Sequence, residues 1–154
     1  YIADAYGVML DGLNAGLPSD RFQVDWWINT PRVSSRLSRR PRLKLDLAHF
    51  LAAETKIFNP SRIGANGLPH PPDTNHLTGS SGLSSNDSLV LVEIPADFLH
   101  LKSLDMGLAS DWRFHIRAIF EGLFAQGFFV TDFIHLVGKS ARSFYVLSDG
   151  DRNL

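Results

Sequence analysis

The chain has 154 residues, enough for one sizeable core and no second domain of ordinary size. Its 44% apolar and 20% charged residues exclude wholesale disorder, and a net charge of −1 with a pI near 6.6 sets up no global attraction to nucleic acid or anionic lipid. The absence of cysteine rules out disulfides, thiolate metal sites and cysteine nucleophiles, and no apolar run approaches the ~20 residues of a membrane span, so a cytoplasmic protein without nucleic-acid or membrane partners is expected.

The chain opens at Tyr1-Ile2-Ala3-Asp4-Ala5-Tyr6, without a methionine and inside what reads as a helix running to about Asn14. The expectation is a single domain over 1–154 that forms the C-terminal part of a larger one. Leu17 to Asp20 reads as a turn, and Phe22 to Ile28 as a strand. Phe22, Val24, Trp26 and Ile28 would face the core; Gln23, Asp25, Trp27 and Asn29 would face a pocket or solvent. From Thr30 to Lys44 six basic residues occur without an acid, a pattern that fits a solvated linker better than a phosphate-binding arm, since no aromatics interleave.

Leu45 to Glu54 reads as a short amphipathic helix capped by Asp46, and Thr55 to Phe58 as a short strand. Asn59 to Asp87 is rich in Pro, Gly, Ser and Asn and reads as one long exposed loop. Leu89 to Ile94 has the composition of a buried strand, ended by Pro95, and Pro95 to Phe98 opens a short helix. The clearest helix covers Ala109 to Gln126, with Trp112, Ile116, Ile119, Phe120, Leu123 and Phe124 as its core stripe and Gly127 as its stop. Phe128 to Leu136 and Ser143 to Leu147 pair as a hairpin. The fold class is therefore α/β in the α+β sense, a mixed and largely antiparallel sheet flanked by helices.

No dinucleotide or P-loop glycine motif, serine elbow or H-E-x-x-H metal motif is present, and the six histidines show no ligand spacing. Candidate site residues are therefore scattered. Asp20 and Arg21 stand at the mouth of the expected strand, as a turn cap with a surface ion pair or as a substrate clamp. Trp27 covers either a pocket or the long loop. Arg113, Arg117 and Glu121 share four-residue spacing on the long helix, as a solvated i,i+4 set or as an anion-binding arginine pair. Strict alternation puts Asp132 on the same face as Phe128, Val130, Ile134 and Leu136, where a carboxylate must be paired, edge-exposed or functional, with Tyr145 in diagonal reach.

These residues together resemble a known group. Tyr6-Gly7, the run Asp11 to Phe22, Val24 to Ile28, Val92 to Phe98, Trp112-Arg113, Arg117, Phe120, Gly127, Val130 to Phe133 and Ser143 to Leu147 resemble predicted acyltransferases of the GNAT superfamily of N-acetyltransferases. The resemblance spans most of the chain apart from the basic segment and the long loop. It implies the C-terminal part of a GNAT fold with an added helix and hairpin, and transfer of an acyl group from acetyl-CoA or another acyl-CoA to an amine, an amino acid among the candidates. The superfamily's Gln/Arg-x-x-Gly-x-Gly/Ala pyrophosphate loop is not in this sequence and is expected upstream of Tyr1, so the fragment alone is expected to be inactive. By position the resemblance suggests Tyr6, with Tyr1 second, as proton donor to the departing thiolate; strand-face geometry suggests Asp25 as a base acting through water. Arg21, Arg117 or Arg142 would clamp an acceptor carboxylate. The competing reading is a non-catalytic binding or structural module, or a truncated product with exposed strand edges, and a homo-oligomer is compatible with either.

Overall fold

The computed structural model describes residues 1–10, 14–25, 28, 31–38, 45–73, 83, 87–138 and 140–150. In chain order these form α1 (Pro31–Leu37), α2 (Leu47–Ala52), β1 (Lys56–Ile57), β2 (Arg62–Ile63), β3 (Pro69–His70), β4 (Leu89–Ile94), α3 (Phe98–Leu104), α4 (Met106–Ala125), β5 (Phe128–Leu136) and β6 (Arg142–Asp149). The main sheet has the order β1-β4-β6-β5, with β1 parallel to β4 and the other neighbours antiparallel; β2 and β3 form a small separate hairpin. This is the mixed, largely antiparallel α+β architecture that the alternating patterns predict.

The sheet is covered on both faces. Ile119, Phe120 and Leu123 of α4 pack on Val90, Val92, Phe128 and Leu147. On the opposite face Leu47 and Phe50 of α2 pack on Leu91, Ile134, Phe144 and Val146. Strand β4 is central and buried from both sides, which is why it reads as an unbroken apolar run rather than an alternating one. A third cluster joins Leu17 and Leu101 to Leu108, Ala109 and Trp112. Helix α2 starts at a reciprocal box in which Asp46 accepts from the His49 amide and His49 returns a bond to the Asp46 amide. Helix α4 begins three residues earlier than its apolar stripe suggests, because Asp105 caps it through the Leu108 amide. Gly127 follows at φ +88, a conformation that glycine adopts without strain.

Four expectations are corrected. Residues 2–10 are not helical: Ile2 bridges to Arg21, Asp4 and Gly7 take positive φ, and the amides of Asp4 and Tyr6 bond to Asp20 Oδ1 and Ser19 Oγ. Side chains from a distant turn have replaced the helix's own carbonyls as acceptors. Phe22 to Ile28 is not a strand among its described residues. Phe22 reaches the core, but Val24 is 68% and Ile28 66% exposed, and no described strand lies alongside to give the alternation a partner. The basic segment contains helix α1, with Pro31 at its first position, where a missing N–H costs nothing. The stretch from Asn59 is not one open loop. It runs across β4 and then forms the β2–β3 hairpin, with Gly67 at φ +75.

A β-bulge between Val130 and Asp132 alters the expected faces of β5. Val130 pairs with Leu147, but Asp132 pairs with Val146 and Ile134 with Phe144. Phe128 and Val130 thus face α4, whereas Asp132, Ile134 and Leu136 fall on the α2 face. Asp132 is exposed at the sheet edge, and its Oδ1 accepts from the Phe133 amide at 2.9 Å.

Helix α4 also buries His115, which is 3% exposed and has no hydrogen-bond partner for either ring nitrogen among the described residues. Burial alone pushes its pKa down to about 4. Since the unfolded chain binds this proton near pH 6.5, the neutral imidazole's contribution is complete above that pH and is lost as pH falls toward 4. On going from pH 7 to pH 4 the wild type should lose about 3 kcal/mol more stability than His115→Phe. Parallel urea-unfolding profiles for the two proteins across that range would refute the expectation.

Candidate functional site

Four separated parts of the sequence meet along the middle of α4. The helix supplies Trp112, Arg113, Ile116 and Phe120, spaced so that they share one face. Tyr1, Asp20, Arg21 and Phe22 close over that face, while Ile94, Pro95 and Phe98, from the end of β4 and the start of α3, form the far wall and Tyr145 of β6 the floor. They enclose a cleft of about 350 Å³, within the size range of small-molecule sites. Half of its lining residues are aromatic: Phe22 meets Phe120 edge-on at 4.8 Å and Tyr145 at 5.4 Å, and Tyr1 stacks on Phe120 at 6.0 Å.

A charged network fixes one side. Arg117 grips Asp20 through Nε at 2.9 Å and Nη2 at 2.5 Å, and its Nη2 also reaches Asp4 at 3.0 Å. Asp20 Oδ2 further accepts from the Tyr1 hydroxyl at 2.6 Å. Burial alone would push Asp20 up, but the bonds from Arg117, the Asp4 amide and Tyr1 outweigh it and hold the carboxyl at about 2. Tyr1 is pushed the other way, by burial first and then by its bond to Asp20, so it is held as a neutral phenol. The pair Asp20–Arg117 is thus internally satisfied, and Asp20 is buried rather than a surface turn cap.

Arg113 is different. Its guanidinium lies over the Phe98 ring at 4.4 Å, its Nε is buried without a hydrogen-bond partner, and no described carboxylate pairs with it. Burial lowers its pKa; Tyr1 and the Asp20 carboxylate oppose that in part, and Arg21 nearby adds to it. Tyr145, also lining the cleft, is pushed up by burial.

Of the residues singled out in the sequence, Asp20 and Arg21 line the cleft. Arg117 borders it but is spent on Asp20 and Asp4. Arg142 lies on the opposite face of the sheet, held by Glu93 at 2.7 and 2.8 Å, and is not placed to clamp a ligand in the cleft. Tyr6 is exposed, with the Arg21 guanidinium 5.0 Å from its ring centre, and Asp25 is exposed; neither lines the cleft. Trp27 lies outside the described residues. Asp132 sits on β5 away from the cleft, and Tyr145 faces Phe133 rather than Asp132. Spacing with Arg117 singles out Arg113 and the resemblance singles out Tyr1, whereas Phe98 has no site role in the sequence patterns and Tyr145 only one beside Asp132. The i,i+4 spacing of Arg113 and Arg117 beside the apolar stripe was the available signal.

Among the described residues no group of three or more histidine and carboxylate side chains could hold a metal ion, and no helix is long and apolar enough to cross a membrane. No protein-family model, curated protein or solved structure matches the chain.

Proposed function

We propose that the cleft is the acceptor site of an acyl-CoA-dependent N-acyltransferase acting on a small amine, amino acids included, in the cell interior where acyl-CoA is made and used. One observation carries the reading. The stretches that resemble GNAT acyltransferases are far apart in sequence, yet they supply all the cleft's lining residues except Tyr1 and Ile116.

In such a reaction a neutral amine attacks the thioester carbonyl, a C–N bond forms, the C–S bond breaks and the thiolate takes a proton. The cleft's share is to bind and orient the amine. Its aromatic walls exclude water from the acceptor's body, and Tyr1, whose own proton is committed to Asp20, offers its oxygen as an acceptor for an N–H. Tyr1 therefore serves to position and not to protonate. The sequence carries no pyrophosphate-binding loop, so in this reading the cleft holds the amine and acyl-CoA is bound by other residues.

Thiol release, read against a control without amine, is the test. A full-length protein bearing this chain should release thiol from acyl-CoA when given a suitable amine, whereas the 154-residue chain alone should bind no acyl-CoA. Absence of thiol release with any amine or amino acid sinks the transferase reading and leaves a binding module. Micromolar acyl-CoA binding by the chain alone would show that it contains a cofactor site unassigned above.

A further inference from the structure

We infer that Arg113 is the anion receptor of the cleft, and that the ligand it selects is a small carboxylate with an apolar or aromatic body. The other arginines near it are accounted for. Arg117 is bidentate to Asp20 and bonded to Asp4, and Arg21 donates to the Asp20 carbonyl at 2.7 Å. Three guanidiniums, those of Arg21, Arg113 and Arg117, stand against the two carboxylates of Asp4 and Asp20, which leaves one positive charge in excess; both carboxylates bond to Arg117, Arg21 donates to a main-chain carbonyl, and Arg113 is the member whose buried Nε has no acceptor among the described residues.

A half-buried guanidinium with no carboxylate bonded to it among the described residues is costly, because its buried Nε has lost water without gaining an acceptor. Contact with the Phe98 face returns part of that cost, but a ring cannot satisfy N–H donors directed elsewhere. A carboxylate can, since its two oxygens match the guanidinium fork. The rest of the cleft sets the ligand's shape: Phe22, Phe120 and Trp112 suit a flat apolar body, and the Tyr145 phenol offers a neutral polar partner. Burial lowers the Arg113 pKa but leaves it charged at neutral pH.

For the acceptor site proposed above, this assignment narrows the amine to one that also carries an acid group. It concerns binding alone, so it can be tested without turnover. The probes are 3-phenylpropionate and its matched alcohol, 3-phenylpropan-1-ol, titrated calorimetrically into the 154-residue chain. The acid should bind about 10- to 100-fold tighter than the alcohol. In Arg113→Met that preference should vanish while the alcohol's affinity stays within about threefold; Arg113→Lys should keep part of it. Equal binding of the two probes by the wild type, or binding of neither, overturns the inference even if the variants fail to fold. So does an acid preference that persists in folded Arg113→Met. Tight acid binding without thiol release in the full-length protein would leave Arg113 assigned and remove only the transferase reading.

Discussion

Glu93→Ala should cost about 3 kcal/mol of folding stability, near the lower end for breaking a buried ion pair. Glu93 is 2% exposed in the central strand, and its carboxylate accepts from Arg142 Nε and Nη2 and from the amide and hydroxyl of Ser61 at 2.8 and 2.9 Å. Its backbone is held as well, by Asn59, whose Oδ1 accepts from the Glu93 amide and whose Nδ2 donates to the Glu93 carbonyl. Alanine leaves the half-buried Ser61 donors without that acceptor. Arg142 remains about one-third exposed and can recover water, which is why the cost falls at the lower end. Glu93→Gln keeps the shape and one acceptor and should lose about half as much. Urea unfolding at pH 7 measures both; a Glu93→Ala variant within about 0.5 kcal/mol of wild type would show that the network contributes little.

Arg117→Met should also cost about 3 kcal/mol at neutral pH, and this loss should be pH-dependent. The variant strands Asp20, whose side chain is only 4% exposed, with the Tyr1 hydroxyl and the Asp4 amide as its remaining donors. In the wild type Asp20 is depressed to about 2, so its contribution is complete above its ordinary value of 3.8 and is lost as pH falls through about 2. Without Arg117 the effect of burial is no longer outweighed and the Asp20 pKa rises. The variant should then gain relative stability as pH is lowered from 7 to 3, because protonation removes a buried, poorly compensated charge. The measurement is the wild-type-to-variant gap in urea unfolding at the two pH values, with the Asp20 carboxyl titration followed by NMR. A gap of equal size at pH 7 and pH 3 would contradict the argument.

The parts of the fold that were legible in the sequence are those whose signal is local. The apolar run of β4, the 3.6-residue stripe of α4, the Asp46 cap and the β5–β6 hairpin each carry their pattern within a short window. The N-terminal segment carried an apolar pattern too, but its geometry is decided by Ser19 and Asp20 more than ten residues away. Alternation in β5 was read through a bulge that no residue type announces, which moved Asp132 to the other face. The site was legible only in pieces. Asp20 and Arg21 stood out as a turn pair, but the partner of Asp20 is Arg117, 97 positions along the chain, and that of Arg142 is Glu93, 49 positions away. Periodicity says nothing about such pairings, so it could not show which guanidinium keeps a buried donor without an acceptor.

Those separations have a consequence for how the cleft comes into being. The elements from α3 to β6 are contiguous and can pack with modest loop closure, whereas the wall formed by Tyr1 and Asp20 reaches α4 only by closing a loop of about a hundred residues. The entropy of that closure is repaid by the Arg117 contacts and the stacking of Tyr1 and Phe22. The cleft should therefore form late in folding, on a sheet and helix already in place. It is also the element that can detach by local unfolding while the sheet stays intact.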